Sequence, residues 1–345
     1  MIEAFFHAWE RKLASVTRDR VVRPFEWGLD WIGTEESPAA GGASEVLSDW
    51  VSQVMHDTDA FFTPGPTNEY QLGPADAAGD QTLTFPSSLD TPHPTNNTVY
   101  CRYVPAKRNG GRRAAVLVLP QWNSDEGGHV GLCRLMAMNG LTALRLSLPY
   151  HDRRMPPELR RADYIVSANI ARTVQVCRQA VLDARRAIAW LADQGFERIG
   201  ICGSSLGSCL SLLTTAHEPL IRAQALNHIS PYFADVVWRG LSTQHGREGL
   251  DGHIELDLLR ALWRPISPHW FLERVRDRKT LLVYARYDLT FPVDLSQELV
   301  KEFRARGIPH ELAVLSCGHY STGKSPFKFI DGWLLTRFLK KSLLS

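Results

Sequence analysis

From about residue 81 onward, short apolar runs alternate with longer stretches of helical spacing. "QTLTFPS" and "NTVYCRYVP" read as two strands joined by the Pro/Asn-rich turn "SSLDTPHPTNN". "RRAAVLVLP" and "LTALRLSLP" read as buried strands on either side of a helix, "GHVGLCRLMAMNG". A long helical pattern follows the charged loop "YHDRRMPPELRRAD", from about Ile165 to Gln194. Further strands are expected at "ERIGICG", "IRAQALNHI", "KTLLVYARYD" and "PHELAVLSCGH". Helices are expected at "LGSCLSLLTTAH", "DLSQELVKEFRARG" and "FKFIDGWLLTRFLKKSLL". Strands alternating with helices of this length predict an α/β fold: a mainly parallel sheet of about eight strands, helices on both faces and an antiparallel edge at its start.

Residues 1–80 follow a different pattern. Val46, Leu47, Trp50, Val51, Val54 and Met55 fall on one helical face, and the Pro- and Gly-rich 61–80 reads as loop. This predicts an N-terminal extension, a helical arm that packs on a main body spanning 81–345. The arm could also reach a second copy of the chain, which would make a homodimer. A longer insertion, 229–277, carries many aromatic residues.

Composition narrows the function classes. With 44 % hydrophobic and 22 % charged residues the chain is an ordinary globular sequence. Its net charge of +2, with cations spread along the chain, offers no nucleic-acid footprint. The cluster "RDRVVR" (Arg18 to Arg23) reads most simply as solvated surface. No apolar run is long enough to span a bilayer, and "MIEAFFHAWERKL" makes a poor secretory signal. Six cysteines without C-x-x-C spacing suggest buried free thiols in a reducing, cytoplasmic setting. No spacing of metal ligands occurs, so no metal or other cofactor is expected.

Against this background one short motif carries chemistry. "GSSLG" puts Ser205 between Gly203 and Gly207, where an apolar strand becomes a helix. A serine hydroxyl is a weak nucleophile unless a sharp turn exposes it, a base lies within hydrogen-bond reach and donors await the oxyanion. In isolation the pattern is a common Gly/Ser turn; its strand–turn–helix setting is what the nucleophile elbow requires. Asp288 follows one later strand and His319 follows the last, so the order is Ser…Asp…His with each residue at a strand's carboxyl end. Asp294 and Glu298 are rivals for the acid.

On "GSSLG", "YDLTFPVD" and "CGHY", residues 81–345 resemble the α/β-hydrolase superfamily, in its esterase, dienelactone-hydrolase-like or prolyl-oligopeptidase-like branches. The resemblance implies Ser205 as nucleophile, His319 as general base and then acid, and Asp288 as the group that orients the imidazole. It also implies an oxyanion hole built partly from the loop after the "VLVLP" strand. Pro120 and Gln121 stand where the superfamily's His-Gly pair would be, which makes the Trp122 amide the candidate second donor beside that of Leu206. The insertion 229–277 would then be cap-like, with Trp238 and Trp263 as candidate substrate contacts. Arg153 and Arg154 could bind a substrate carboxylate or phosphate, or could pin their own loop through Asp152, Glu158 or Asp163. The expected activity is that of a serine hydrolase acting on a small-molecule ester. A peptidase or amidase on the same triad is the alternative, disfavoured because 80 loop-rich residues cannot form the N-terminal propeller of peptidase relatives. A non-catalytic binding protein that kept the fold is the second alternative.

Overall fold

The computed structural model describes residues 1–34, 42–106 and 113–345. Arg112, at the start of the expected "RRAAVLVLP" strand, and residues 35–41 of the N-terminal extension lie outside the described residues. The strands are β1 (Gln71–Leu72), β2 (Gln81–Pro86), β3 (Thr98–Val104), β4 (Ala114–Leu119), β5 (Thr142–Leu146), β6 (Arg198–Ser204), β7 (Ile221–Asn227), β8 (Lys279–Ala285) and β9 (Glu311–Leu315). They form one nine-stranded sheet in the order β1-β2-β3-β5-β4-β6-β7-β8-β9. Pairings from β1 to β3, and of β3 with β5, are antiparallel; all the rest are parallel. The short β1 lies in the Pro/Gly-rich stretch that reads as loop, because two residues carry too little alternation to register.

The helices are α1 (Ile2–Ala14), α2 (Ala43–His56), α3 (Thr58–Phe61), α4 (Val130–Met138), α5 (Ile170–Asp193), α6 (Leu206–His217), α7 (Phe233–Arg239), α8 (Gln244–Leu250), α9 (Leu256–Leu262), α10 (Val293–Ala305), α11 (His319–Thr322) and α12 (Phe327–Leu344). Strand side chains alternate between two cores. Ala115, Leu117, Leu119, Ile199 and Ile201 face the side covered by α5 and α6. Val116, Val118 and Cys202 face α4 and α12. The α5 helix starts at Ile170, later than its apolar pattern suggests, because the Asn169 side chain accepts the Arg172 N–H and caps it there. All six cysteines are buried free thiols, and burial raises their pKa values.

The charged loop after β5 is anchored from beneath. Arg154 is wholly buried: Nη2 donates to Asp183 Oδ2 at 2.9 Å, and its other donors reach the Asn96 and Ser147 carbonyls. Arg154 is therefore unavailable to substrate and pins the loop instead, through Asp183 and not through Asp152, Glu158 or Asp163; a guanidinium this deep must be fully paired. Arg153 is exposed and donates to Glu126 at 2.6 Å, outside the large cavity described below. Arg154→Met should lower stability by about 3–5 kcal/mol, because it strands the Asp183 charge. Adding Asp183→Leu should recover much of that loss; urea unfolding of single and double variants checks both.

Candidate active site

Four adjacent parallel strands, β6, β7, β8 and β9, each deliver one polar side chain just past their carboxyl ends: Ser205, His228, Asp288 and His319. Ser205 has φ +55° and ψ −121°, a conformation that L-residues avoid, and it sits between β6 and α6. The flanking glycines make this turn possible. A Cβ on Gly203 would collide with the Gly207 backbone, and one on Gly207 would collide with the Leu119 and Pro120 carbonyls. Leu206 opens α6, so its N–H has no partner within that helix and points to the turn.

The structure brings the three sequence-predicted residues together. Ser205 Oγ lies 3.1 Å from His319 Nε2, and His319 Nδ1 lies 2.9 Å from Asp288 Oδ2. The rivals are elsewhere: Asp294 pairs with Arg239 at 2.8 Å, and Glu298 does not line the cavity. Asp288 is buried, and its Oδ1 accepts the N–H groups of Thr290 and Phe291 at 2.8 and 2.7 Å. Burial acts to raise its pKa, but the His319 charge and the two imidazole hydrogen bonds outweigh it and hold the carboxyl well below its usual range.

A fourth residue was not foreseen. His228 Nδ1 lies 3.1 Å from the same Asp288 Oδ2. An ionised carboxylate only accepts, so both Nδ1 atoms carry protons, and His319 Nε2 presents its lone pair to the Ser205 hydroxyl. Burial lowers the His228 pKa, keeping that ring neutral. Burial also acts to lower that of His319, but the Asp288 charge and hydrogen bond win and raise it. Its place directly after β7 was the signal that could have found His228. Among the described residues, His228, Asp288 and His319 are the group whose ligand atoms could converge on a metal; Asp288 Oδ2 already accepts from both imidazoles.

The N-terminal arm folds back over this edge. Glu10 of α1 is fully buried and accepts the N–H groups of Tyr320 and Ser321, at 2.7 and 2.9 Å, directly after His319. Gly318 has to be a glycine here, since a Cβ would run into the Glu10 side chain. Phe6 stacks on Tyr287 at 4.6 Å, beside Asp288. A glutamate in an amphipathic helix gives no sign of such a role, because its partners lie some 310 residues away.

A cavity of about 1010 Å³ opens over Ser205 and His319. Val236 and Val237 of the 229–277 insertion line it, as do Leu206 and Trp122. The Trp122 indole N–H donates to the Ala162 carbonyl at 2.9 Å, which fixes the loop carrying its amide. On the far side the cavity reaches His129, whose Nε2 lies 3.0 Å from Ser204 Oγ, and Asp331, whose pKa burial pushes up to about 7. Trp263 is fully buried, with its N–H on the Ile170 carbonyl, and Trp238 lies under Arg247. Neither lines the cavity, which corrects their expected role as substrate contacts: Trp263 ties the insertion to the start of α5, and Trp238 packs under Arg247 within the insertion. The cluster Arg18 to Arg23 is likewise more than solvated surface, since Arg20 lines the cavity and Arg23 pairs with Asp163.

Neither a family model nor a curated protein sequence matches the chain. Solved structures do. Acylaminoacyl peptidase from Pyrococcus horikoshii superposes with a TM-score of 0.59 at 14 % identity, over 79 % of this chain and 42 % of its own. Acetyl xylan esterase from Paenibacillus sp. R4 gives 0.59 at 14 % identity, covering 96 % of this chain and 99 % of its own. Acetyl xylan esterase 1 from Thermoanaerobacterium sp. JW/SL YS485 gives 0.57 at 14 % identity, over 96 % and 98 %. The chain thus has the α/β-hydrolase fold, and it spans about two-fifths of the length of that peptidase. No helix among the described residues is long and apolar enough to cross a membrane.

Two predictions follow from the geometry. In an NMR titration His319 should have a pKa above the ordinary value of about 6.5, and His228 and His129 should lie below it. Asp288→Asn should bring His319 down, because the main charge opposing burial is then lost and only that of Glu10 remains; an unmoved pKa would contradict the assigned pairing. Glu10→Ala should leave the Tyr320 and Ser321 amides exchanging roughly tenfold to a hundredfold faster by hydrogen exchange, while β6 and β7 keep their protection.

Proposed function

We propose that the protein is a serine hydrolase that cleaves a carboxylic ester of a small molecule through an acyl-enzyme on Ser205. The observation that carries this reading is the unbroken hydrogen-bond chain from Ser205 through His319 to Asp288 at the mouth of the cavity. In this reading His319 Nε2 takes the Ser205 proton as Oγ attacks the ester carbonyl, and Asp288 stabilises the imidazolium. The amides of Leu206 and Trp122 receive the negative charge that develops on the carbonyl oxygen. The imidazolium then passes its proton to the departing alkoxide. Water, deprotonated by His319, attacks the acyl-enzyme and returns the site to its starting state.

Two features support an ester over a peptide. Part of the cavity wall is apolar, formed by side chains of the 229–277 insertion such as Phe233, Val236 and Val237. The two acetyl xylan esterases match along nearly their whole lengths, whereas the peptidase match covers under half of that enzyme.

Ser205→Ala should lower kcat on 4-nitrophenyl esters by about 10⁴- to 10⁶-fold and abolish labelling by a fluorophosphonate probe. Since His319 Nε2 must be unprotonated to act as base, kcat/KM should fall as pH drops through its raised pKa. Retained turnover in the Ser205 variant, or preference for aminoacyl anilides over esters, would overturn the assignment.

A further inference from the structure

The N-terminal arm also contributes to the cavity wall. It places Arg20 in the wall next to the His319 loop, where Arg20 Nη2 donates to the Tyr320 hydroxyl at 3.2 Å. Arg161 lines the same cavity, with its guanidinium 5.3 Å over the Trp122 ring. Both cations therefore belong to one stretch of the wall, where Tyr320 and His245 each feel the charge of both.

The local cations are unequally paired. Arg161 bonds Asp19 at 3.0 Å and approaches Asp163 at 3.8 Å, and Arg23 pairs with Asp163 at 3.4 Å. Three guanidinium groups (Arg20, Arg23, Arg161) thus stand beside two carboxylates (Asp19, Asp163), and Arg161 and Arg23 make all the ion pairs with these two acids. Arg20 is the group left over: it has no ion pair among the described residues, and its Nε is buried without a hydrogen-bond partner. Glu10, the other acid near this loop, has its oxygens on the Tyr320 and Ser321 amides. His245, stacked on Trp122, responds to this field: burial first, then Arg161 and Arg20, push its pKa down to about 4.

Arg20 is half-buried in the cavity wall without an ion pair among the described residues, and its planar fork matches a carboxylate or phosphate edge. We propose that Arg20, backed by Arg161, binds a free oxyanionic group on the substrate, a carboxylate in its simplest form, so that the ester cleaved at Ser205 is an acidic one. The inference rests on the serine-hydrolase reading for the cleavage step and on Arg20 alone for the recognition. The carboxylate can belong to the acyl part or to the alcohol part, and the two sources call for separate arms of one experiment.

In the acyl arm, the 4-nitrophenyl monoester of glutaric acid is compared with 4-nitrophenyl pentanoate, which has the same chain length without the charge. In the alcohol arm, the butyrate ester of 4-hydroxybenzoate is compared with phenyl butyrate. The wild-type enzyme should favour the acidic ester in kcat/KM in one arm, and Arg20→Met should reduce that acidic-to-neutral ratio by about tenfold to a hundredfold. Arg20→Lys should restore part of the preference, since it keeps the charge and loses the fork. Calorimetry of the glutarate ethyl monoester and of 4-hydroxybenzoate with the Ser205→Ala protein reads binding without turnover, and Arg20→Met should weaken the one that binds. Neutral esters cleaved as well as acidic ones in both arms, or a ratio unmoved by Arg20→Met, would sink the anion site and leave the hydrolase reading standing. Carboxylate binding that depends on Arg20 in a protein that cleaves no ester would keep the site and sink the hydrolase reading.

Discussion

The site is organised around one buried negative charge. A carboxylate taken out of water costs several kcal/mol unless every lone pair finds a donor. Asp288 meets that demand with two backbone N–H groups on one oxygen and two imidazole N–H groups on the other. These partners come from the ends of three neighbouring strands, β7, β8 and β9. The carboxylate therefore fixes where the loops after those strands stand relative to one another, and it sets both histidine tautomers at once.

The turn at Ser205 supplies the complementary constraint. Its positive φ is tolerated because Gly203 and Gly207 let β6, α6 and the end of β4 approach within backbone contact. The strained turn and the carboxylate hold the two ends of one hydrogen-bond chain, and His319 closes the gap between them. Neither end has slack. The small residues on the β6 face toward α12 extend the same close packing into the core, where Gly200 lies against Leu339 and Leu343.

The N-terminal arm is part of this construction. Glu10 satisfies the two amides that follow His319, Phe6 covers Tyr287, and Thr17 and Arg20 line the cavity. Residues near the chain's start thus complete a site whose triad lies beyond residue 200. The arm packs against its own chain at α11, which is how Glu10 reaches the histidine loop.

Local sequence determined what depends on periodicity and turn chemistry. Alternating apolar runs and helical stripes revealed the sheet and its layers, and "GSSLG" marked the elbow because glycine is required where backbones touch. Ser205, Asp288 and His319 were legible because each follows a strand, and parallel strands bring their ends to one edge. Tertiary structure alone decided which polar groups complete that edge. His228 shares the Asp288 oxygen, Glu10 docks from an opposite end of the chain, and Arg20 is left without an ion pair among the described residues only once Asp19 and Asp163 have met other partners. Arg154 and Trp263, each of which could have met substrate or packed inside, turned inward for the same reason. Whether a charged or aromatic side chain meets substrate or core depends on long-range packing, and no local pattern encodes that.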